Sequence, residues 1–125
     1  MKVYVVEDSS LMRNILINML RSIDGADIVG EAEKIAVAIT GIAKTQPDVI
    51  VLDLHLIDGS GFDVLLALKN IAPEVVTIVF SNNNSPPIRR ECMAAGARHF
   101  FDKSDEFEKL RETLIQLSQP NQTPR

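Results

Sequence analysis

The sequence predicts an α/β protein in which a doubly wound parallel sheet of five strands is covered by helices on both faces. Apolar, β-branched runs alternate along the chain with segments whose apolar residues recur every three or four positions. The third run, Asp48–Leu54, is apolar on both faces, which is typical of a central strand between two helical layers. Alternation of this kind requires parallel pairing, because right-handed crossovers through helices connect parallel strands.

The N-terminal third predicts a strand, a helix and a second strand. The run Lys2–Val6 is β-branched and aromatic, and the serine pair Ser9–Ser10 that follows is typical of a helix cap. A turn at Asp24–Gly25 leads to a short second strand, Asp27–Ala32. Between the cap and the turn lies the first helix, whose apolar positions are Met12, Ile15, Leu16, Met19, Leu20 and Ile23.

The middle of the chain predicts a helix on each side of the central strand. Ile35–Lys44 has most of its large apolar residues on one face, and Pro47 closes its connection to the third strand. Phe62–Ile71 predicts the third helix. The β-branched run Val75–Phe80 then predicts the fourth strand.

The C-terminal third predicts a fourth helix, a fifth strand and a fifth helix. Pro87–Ala95 begins with proline, which the first turn of a helix tolerates, and Gly96 ends it. Arg98–Phe101 predicts a shorter strand. The last helix, Glu106–Leu117, is amphipathic, and its buried face is predicted at Phe107, Leu110, Leu114 and Leu117.

Composition indicates one globular domain. The chain has 125 residues, of which 46% are hydrophobic and 24% charged, so we expect a domain at residues 1–118 and a polar, disordered tail at 119–125. A net charge of −4 disfavours binding to nucleic acid or to an anionic membrane surface. The single cysteine, Cys92, cannot form an internal disulfide, and no apolar run could span a bilayer, so we expect a cytoplasmic protein.

Polar side chains follow four of the predicted strands, at the carboxyl end of each. Glu7–Asp8 follows strand one, Asp53 ends strand three, Ser81 follows strand four and Asp102–Lys103 follows strand five. Ligands of open parallel sheets bind at this edge. Carboxylates crowded there repel one another unless a cation neutralises them, and oxygen ligands favour Mg²⁺ or its substitute Mn²⁺. With the ion bound, a carboxylate can attack phosphorus to form an aspartyl phosphate.

Each of these residues has a structural explanation when it is taken alone. The acids of Glu7–Asp8 are also good helix caps, an aspartate such as Asp53 often stabilises a turn, and Lys103 could simply be solvated. A phosphatase of the haloacid dehalogenase type would have a second aspartate where His55 stands, and a dinucleotide-binding domain would have its glycine-rich turn after strand one. The joint occurrence at one sheet edge favours phosphoryl chemistry without turnover catalysis.

Over nearly its whole length the chain resembles the receiver domain of bacterial two-component response regulators. The resemblance implies that Asp53 is the phosphoacceptor, that Ser81 and Lys103 assist it, and that Phe100 is the switch aromatic residue. Gly61, eight residues after the acceptor, matches the glycine that closes the following loop. The implied fold is flavodoxin-like, with strand order 2-1-3-4-5.

The resemblance also implies a metal site. Asp8, Asp53 and the backbone carbonyl of His55 would bind Mg²⁺ directly, and Glu7 would act through a water molecule. Mn²⁺ would substitute, since it also prefers oxygen ligands. Phosphate would come from a phosphohistidine on a sensor histidine kinase or a histidine phosphotransfer protein.

The implied output is a change of surface rather than a catalysed reaction. After phosphorylation Ser81 would turn toward the phosphate and Phe100 would follow it, changing the surface of helix four, strand five and helix five for a downstream protein target. The chain would be a monomer or a phosphorylation-dependent dimer, without direct binding to nucleic acid or membrane. Two contexts stay open: a stand-alone receiver, or the N-terminal receiver of a longer DNA-binding regulator or hybrid kinase.

Three positions differ from the family pattern. Ile57 stands where most members have proline, and Asn82 follows Ser81 where a small residue is common, so its bulk could slow access to the acceptor. Ser104 follows Lys103 where the family usually has a cis proline. We expect a trans Lys103–Ser104 peptide, because a cis bond before a residue other than proline costs about 2.5–4 kcal/mol.

Overall fold

A computed structural model describes residues 1–120, and it confirms the predicted parallel sheet. The strands of this sheet are β1 (Lys2–Val6), β2 (Asp27–Ala32), β3 (Val49–Leu52), β6 (Val76–Ser81) and β7 (His99–Asp102). They pair in the order β2-β1-β3-β6-β7, which is the flavodoxin-like order 2-1-3-4-5 when these five strands alone are counted. The predicted tail at 119–125 lies outside the described residues from position 121 onward.

Helices cover both faces of the sheet. They are α1 (Ser10–Arg21), α2 (Ile35–Thr45), α3 (Gly61–Ile71), α4 (Pro86–Ala94) and α5 (Phe107–Ser118). Alternate residues of each strand point to opposite faces, so that in β1 Val5 packs against α1 and α5 while Val6 packs against the layer of α2, α3 and α4. In the described part of the chain, no helix is long and apolar enough to cross a membrane.

The central strand is shorter than predicted, and a small hairpin follows it. The prediction of a strand over Asp48–Leu54 is wrong at its ends, because β3 spans Val49–Leu52. The chain then forms β4 (His55–Leu56) and β5 (Gly59–Ser60), which pair antiparallel before α3. Asp53 therefore stands just beyond the sheet, where its side chain is free to face the strand ends.

The hairpin is tied to the N-terminus of α2. The Asp58 carboxylate accepts a hydrogen bond of 2.9 Å from the backbone N–H of Ile35, in the first turn of that helix. The preceding residue, Lys34, offers no side-chain cap of its own, so Asp58 satisfies a helix donor that would otherwise lack a partner. The contact fixes the loop that begins at Asp53.

The ring of Tyr4 fills a space that two glycines leave open. Tyr4 lies on β1 and is 3% exposed, and its ring passes Gly30 of β2 and Gly41 of α2. A Cβ atom at Gly30 would overlap the ring carbons, and one at Gly41 would overlap the phenolic oxygen. The Tyr4 ring therefore fills the space between β2 and α2 at these two glycines.

Candidate phosphoacceptor site

Three carboxylates lie together where β1 and β3 end, and we call Glu7, Asp8 and Asp53 the carboxylate cluster. One carboxylate oxygen from each residue lies within 4.8 Å of the corresponding oxygens of the other two. The two strands are neighbours in the sheet, with Val6 opposite Leu52, so the residues that follow them emerge side by side. Glu7 is 1% exposed and Asp53 3%, whereas Asp8 is half-buried. The prediction that these strand ends converge is confirmed.

Lys103 bridges two members of the carboxylate cluster. Its Nζ atom lies 2.7 Å from Glu7 Oε1 and 3.0 Å from Asp53 Oδ2, and its side chain is 11% exposed. The Lys103 backbone N–H donates to the carbonyl oxygen of Ser81 at 3.2 Å, which holds the turn after β7 against β6. Among residues 1–120 no peptide bond is cis, so the expected trans Lys103–Ser104 peptide is confirmed and the lysine still reaches the cluster.

The pKa values of Glu7 and of Lys103 are both raised at this site. Burial raises the pKa of Glu7 to about 7; the hydrogen bond from Lys103 opposes this rise, and the charge of Asp53 adds to it. Burial alone would lower the pKa of Lys103, but its hydrogen bond to Glu7 and the charge of Asp53 raise that pKa above the ordinary value. The lysine is therefore a cation near neutral pH, while Glu7 is protonated far more readily than an ordinary glutamate.

Backbone contacts fix the position of Asp53. Its Oδ1 atom accepts a hydrogen bond of 3.1 Å from the N–H of His55, and its own N–H donates to Val6 at 2.9 Å. Gly61 N–H donates to the carbonyl oxygen of Leu54 at 2.9 Å. A Cβ atom at Gly61 would overlap the Asp53 carbonyl oxygen, so this glycine is required for a close backbone approach.

An open cavity of about 500 Å³ gives access to the acceptor. Ser81 is 1% exposed, and its Oγ atom accepts a hydrogen bond of 3.1 Å from the N–H of Asn83. The His55 side chain is exposed at the rim. The cavity is lined by Asp8, Ser9, Asp53, His55, Ser81, Asn82, Asn83 and Lys103, so it joins the predicted acceptor, hydroxyl and ammonium groups in one space.

Phe100 lies away from this cavity, in the core beneath α4. Its side chain is 5% exposed and belongs to the apolar layer formed with α2, α3 and α4. Arg89 of α4 stacks over the ring at 4.6 Å from its centroid and donates to the Phe100 carbonyl oxygen at 3.0 Å. The ring is already buried in this structure, and the movement expected of it stays a prediction.

Sequence reasoning missed a set of hydrogen bonds around Asp102. The carboxylate of Asp102 accepts hydrogen bonds from the Asn84 side chain and from Ser104, and the Asp102 backbone N–H donates to Glu106. The two-residue spacing of Asp102 and Ser104 is the one signal available in the sequence, since aspartate often accepts from the backbone two positions on. The contact with Asn84 joins distant segments and has no such signal.

Together, the fold and the cavity define a receiver domain. A model of the response regulator receiver domain matches residues 3–115, and the chain belongs to that family. The chain is 33% identical over 119 residues to a protein-glutamate methylesterase/protein-glutamine glutaminase of Clostridium acetobutylicum, covering 91% of this chain and 34% of that protein. It is 30% identical over 102 residues to the DNA-binding transcriptional activator DevR/DosR of Mycobacterium tuberculosis, covering 82% of this chain and 47% of that protein.

Solved structures show the same fold. The response regulator domain of Thermotoga maritima CheB is similar with a TM-score of 0.83 at 25% identity, covering 94% of this chain and 92% of that chain. The receiver domain of a LuxO-type repressor from Vibrio parahaemolyticus is similar with a TM-score of 0.81 at 28% identity, covering 94% and 88%. The chain thus spans a receiver domain, but only a third to a half of the two curated relatives.

Proposed function

We propose that this receiver domain accepts a phosphoryl group on Asp53 from the phosphohistidine of a sensor histidine kinase or a histidine phosphotransfer protein. The observation that carries the proposal is the position of Asp53, which is held by backbone contacts at the floor of an open cavity with the Lys103 ammonium 3.0 Å from its carboxylate. An aspartate that only stabilised a turn would need neither a buried cation nor a cavity.

The side chains that line this cavity include those that would take part in the transfer of a phosphoryl group to Asp53. A carboxylate oxygen of Asp53 forms a bond to phosphorus as the bond from phosphorus to the donor imidazole nitrogen breaks, and the leaving imidazole keeps that electron pair. The Lys103 ammonium and the Ser81 hydroxyl line the same cavity and can donate hydrogen bonds to the phosphoryl oxygens. In its present contact Ser81 Oγ accepts from the Asn83 N–H, which leaves the hydroxyl hydrogen available for donation to a phosphoryl oxygen.

The carboxylate cluster fits Mg²⁺. It offers oxygen ligands from three carboxylates within 4.8 Å of one another, and the single charge of Lys103 does not neutralise them. Asp8, Asp53 and the carbonyl oxygen of His55 would hold the ion, with Glu7 acting through a water molecule, and Mn²⁺ would substitute. When bound there, a divalent ion would supply positive charge to offset the negative charge of the phosphoryl oxygens.

The output that we propose is a protein contact. Phosphorylation would draw Ser81 toward the phosphate and change the packing of Phe100, and with it the surface of α4, β7 and α5 that meets a downstream protein target. The domain assists its own phosphorylation and dephosphorylation and is not proposed to turn over a substrate. We further propose that the protein is cytoplasmic and that residues 1–118 form its receiver domain. It would be a monomer or a phosphorylation-dependent dimer, and it would not bind nucleic acid or membrane directly.

The greater length of the relatives supports a second context. The chain covers only 47% of a DNA-binding transcriptional activator and 34% of a protein-glutamate methylesterase/protein-glutamine glutaminase. The same site would then serve as the N-terminal receiver of a longer DNA-binding regulator or hybrid kinase. Sequencing the full reading frame distinguishes this context from a stand-alone receiver.

Intact-mass measurement tests the phosphoacceptor directly. Incubation with Mg²⁺ and acetyl phosphate should add one phosphoryl group to the chain, and EDTA should prevent it. Asp53→Asn should abolish the gain and keep the fold, because the amide preserves the shape but lacks the nucleophilic oxygen. Asp63→Asn, at an exposed aspartate in the first turn of α3, is the matched control and should be phosphorylated normally. Phosphorylation of the Asp53→Asn protein would contradict the proposal.

A further inference from the structure

A second polar network surrounds Asp102, the last residue of β7 and the neighbour of Lys103 in the chain. Asp102 Oδ1 accepts hydrogen bonds of 2.8 Å from the Ser104 backbone N–H and 2.7 Å from its hydroxyl. Asp102 Oδ2 accepts one from the side-chain amide of Asn84. The Asp102 backbone N–H donates to Glu106 Oε1 at 2.8 Å. One residue therefore holds the turn that follows it and a loop 18 positions earlier in the chain.

These two segments carry the donors proposed for the phosphoryl group. Asn84 ends the loop that begins at Ser81, whose Oγ atom is bonded to the N–H of Asn83. Lys103 lies between Asp102 and Ser104, and its N–H is bonded to the carbonyl oxygen of Ser81. The Asp102 carboxylate thus connects the hydroxyl side of the cavity to the ammonium side.

The carboxylate is suited to this role because it is charged. The hydrogen bonds from Ser104 and Asn84 lower the pKa of Asp102, so it is ionised near neutral pH. Hydrogen bonds to an ionised acceptor are stronger and more directional than those between neutral groups. The family resemblance assigns no role to this residue, and the carboxylate cluster does not include it.

We propose that Asp102 is a positioning residue for phosphoryl transfer, which sets the spacing of Ser81 and Lys103 by tying Asn84 and Ser104 to one carboxylate. The inference rests on the proposed phosphorylation of Asp53. Asp102 acts through its neighbours and does not touch the reacting atoms. A small misplacement of donors is costly in such a reaction, because catalysis of phosphoryl transfer depends mainly on positioning and charge.

The pairing of Asn84 with Asp102 allows a reversal experiment. Asn84→Asp places two carboxylates against each other, so the loop and the turn are driven apart. Adding Asp102→Asn restores an amide-to-carboxylate hydrogen bond with its direction reversed, and the new amide oxygen can still accept from Ser104. Asp105→Asn, at an exposed aspartate of the same turn, is the control for the loss of charge that Asp102→Asn causes.

The measurement is the rate constant of phosphorylation by acetyl phosphate at saturating Mg²⁺, together with the Mg²⁺ dissociation constant. Asn84→Asp should slow phosphorylation about tenfold while Mg²⁺ affinity changes by less than about twofold, and the double variant should recover most of the rate. Asp105→Asn should react like the wild type. A general loss of structure would weaken Mg²⁺ binding as well and would not be reversed by a second substitution.

The possible results separate this inference from the proposed function. A wild-type chain that acquires no phosphoryl group overturns both. A wild-type chain that is phosphorylated, with Asn84→Asp equally fast, overturns only the role of Asp102. If Asn84→Asp is phosphorylated slowly and adding Asp102→Asn does not restore the rate, the role of Asp102 is also overturned. The slow rate would then not depend on the contact between these two residues.

Discussion

Replacing the buried Glu7 by glutamine should change how stability depends on pH. The folded protein holds the Glu7 carboxyl with a pKa of about 7, whereas the ordinary value of the group is 4.5. Because the folded state binds this proton more tightly than the unfolded state, the free energy of unfolding falls as pH rises from the lower value through the higher one. Glutamine cannot ionise, so the Glu7→Gln substitution removes this fall in the free energy of unfolding.

The size of the effect follows from those two pKa values. Integrating the proton linkage from pH 5 to pH 8 gives a loss of about 2.5 kcal/mol in the wild type. Lys103 adds no pH dependence between pH 5 and pH 8. Its pKa is raised on folding, so its contribution to the free energy of unfolding is constant at pH values well below its ordinary pKa of 10.5. The lowered pKa of His99 gives a slope of the opposite sign, but this slope is the same in both proteins. Between pH 5 and pH 8, the free energy of unfolding of Glu7→Gln relative to that of the wild type should therefore rise by about 2.5 kcal/mol.

Urea denaturation in EDTA at pH 5, 6, 7 and 8 measures this difference. EDTA removes divalent ions, which would otherwise favour the ionised cluster. Glu74→Gln, at an exposed glutamate between α3 and β6, is the control and should run parallel to the wild type. Parallel curves for Glu7→Gln as well would refute the reasoning, since they would show that Glu7 keeps an ordinary affinity for its proton.

Three further predictions concern the same cavity. Asp8→Ala should weaken Mg²⁺ binding severely and Glu7→Ala less, as measured by metal titration; equal and negligible effects would contradict a metal site in the carboxylate cluster. Lys103→Met should destabilise the metal-free fold by about 3 kcal/mol in urea, because it leaves two buried carboxylates without their cation, and saturating Mg²⁺ should restore part of this loss; an unchanged midpoint in EDTA would show that the bridge is not stabilising. Gly61→Ala should lower stability by about 1–3 kcal/mol and slow phosphorylation of Asp53, because its Cβ displaces the acceptor backbone; normal rates and stability would show that the loop yields freely.

The fold was predictable because its signals are local and repeated. The strands of the main sheet, four to six residues long, appear as short runs rich in apolar and β-branched residues, and the helices, nine to twelve residues long, have apolar positions every three or four residues. The hairpin of β4 and β5 escaped prediction because two-residue strands are too short to show alternation. The true end of β3 also escaped prediction, because an apolar residue, Leu54, follows two positions beyond the last paired residue, Leu52.

The site was predictable only as far as topology determines it. Parallel strands end at one edge, so Glu7, Asp53 and Lys103 could be placed together from their positions after apolar runs. Their detailed contacts could not, because the bond from Lys103 to Glu7 depends on how a turn and a strand end meet in space. The same holds for the hydrogen bond between Asn84 and Asp102, two residues on separate loops.

The packing of Tyr4 limits the order in which this protein can change during evolution. Its ring occupies the volume that side chains at Gly30 and Gly41 would need, so three positions on three elements share one space. A side chain gained at either glycine is harmful while the tyrosine is present. A smaller residue at position 4 must therefore come first, at the cost of a temporary cavity, and only then can the two glycines be replaced.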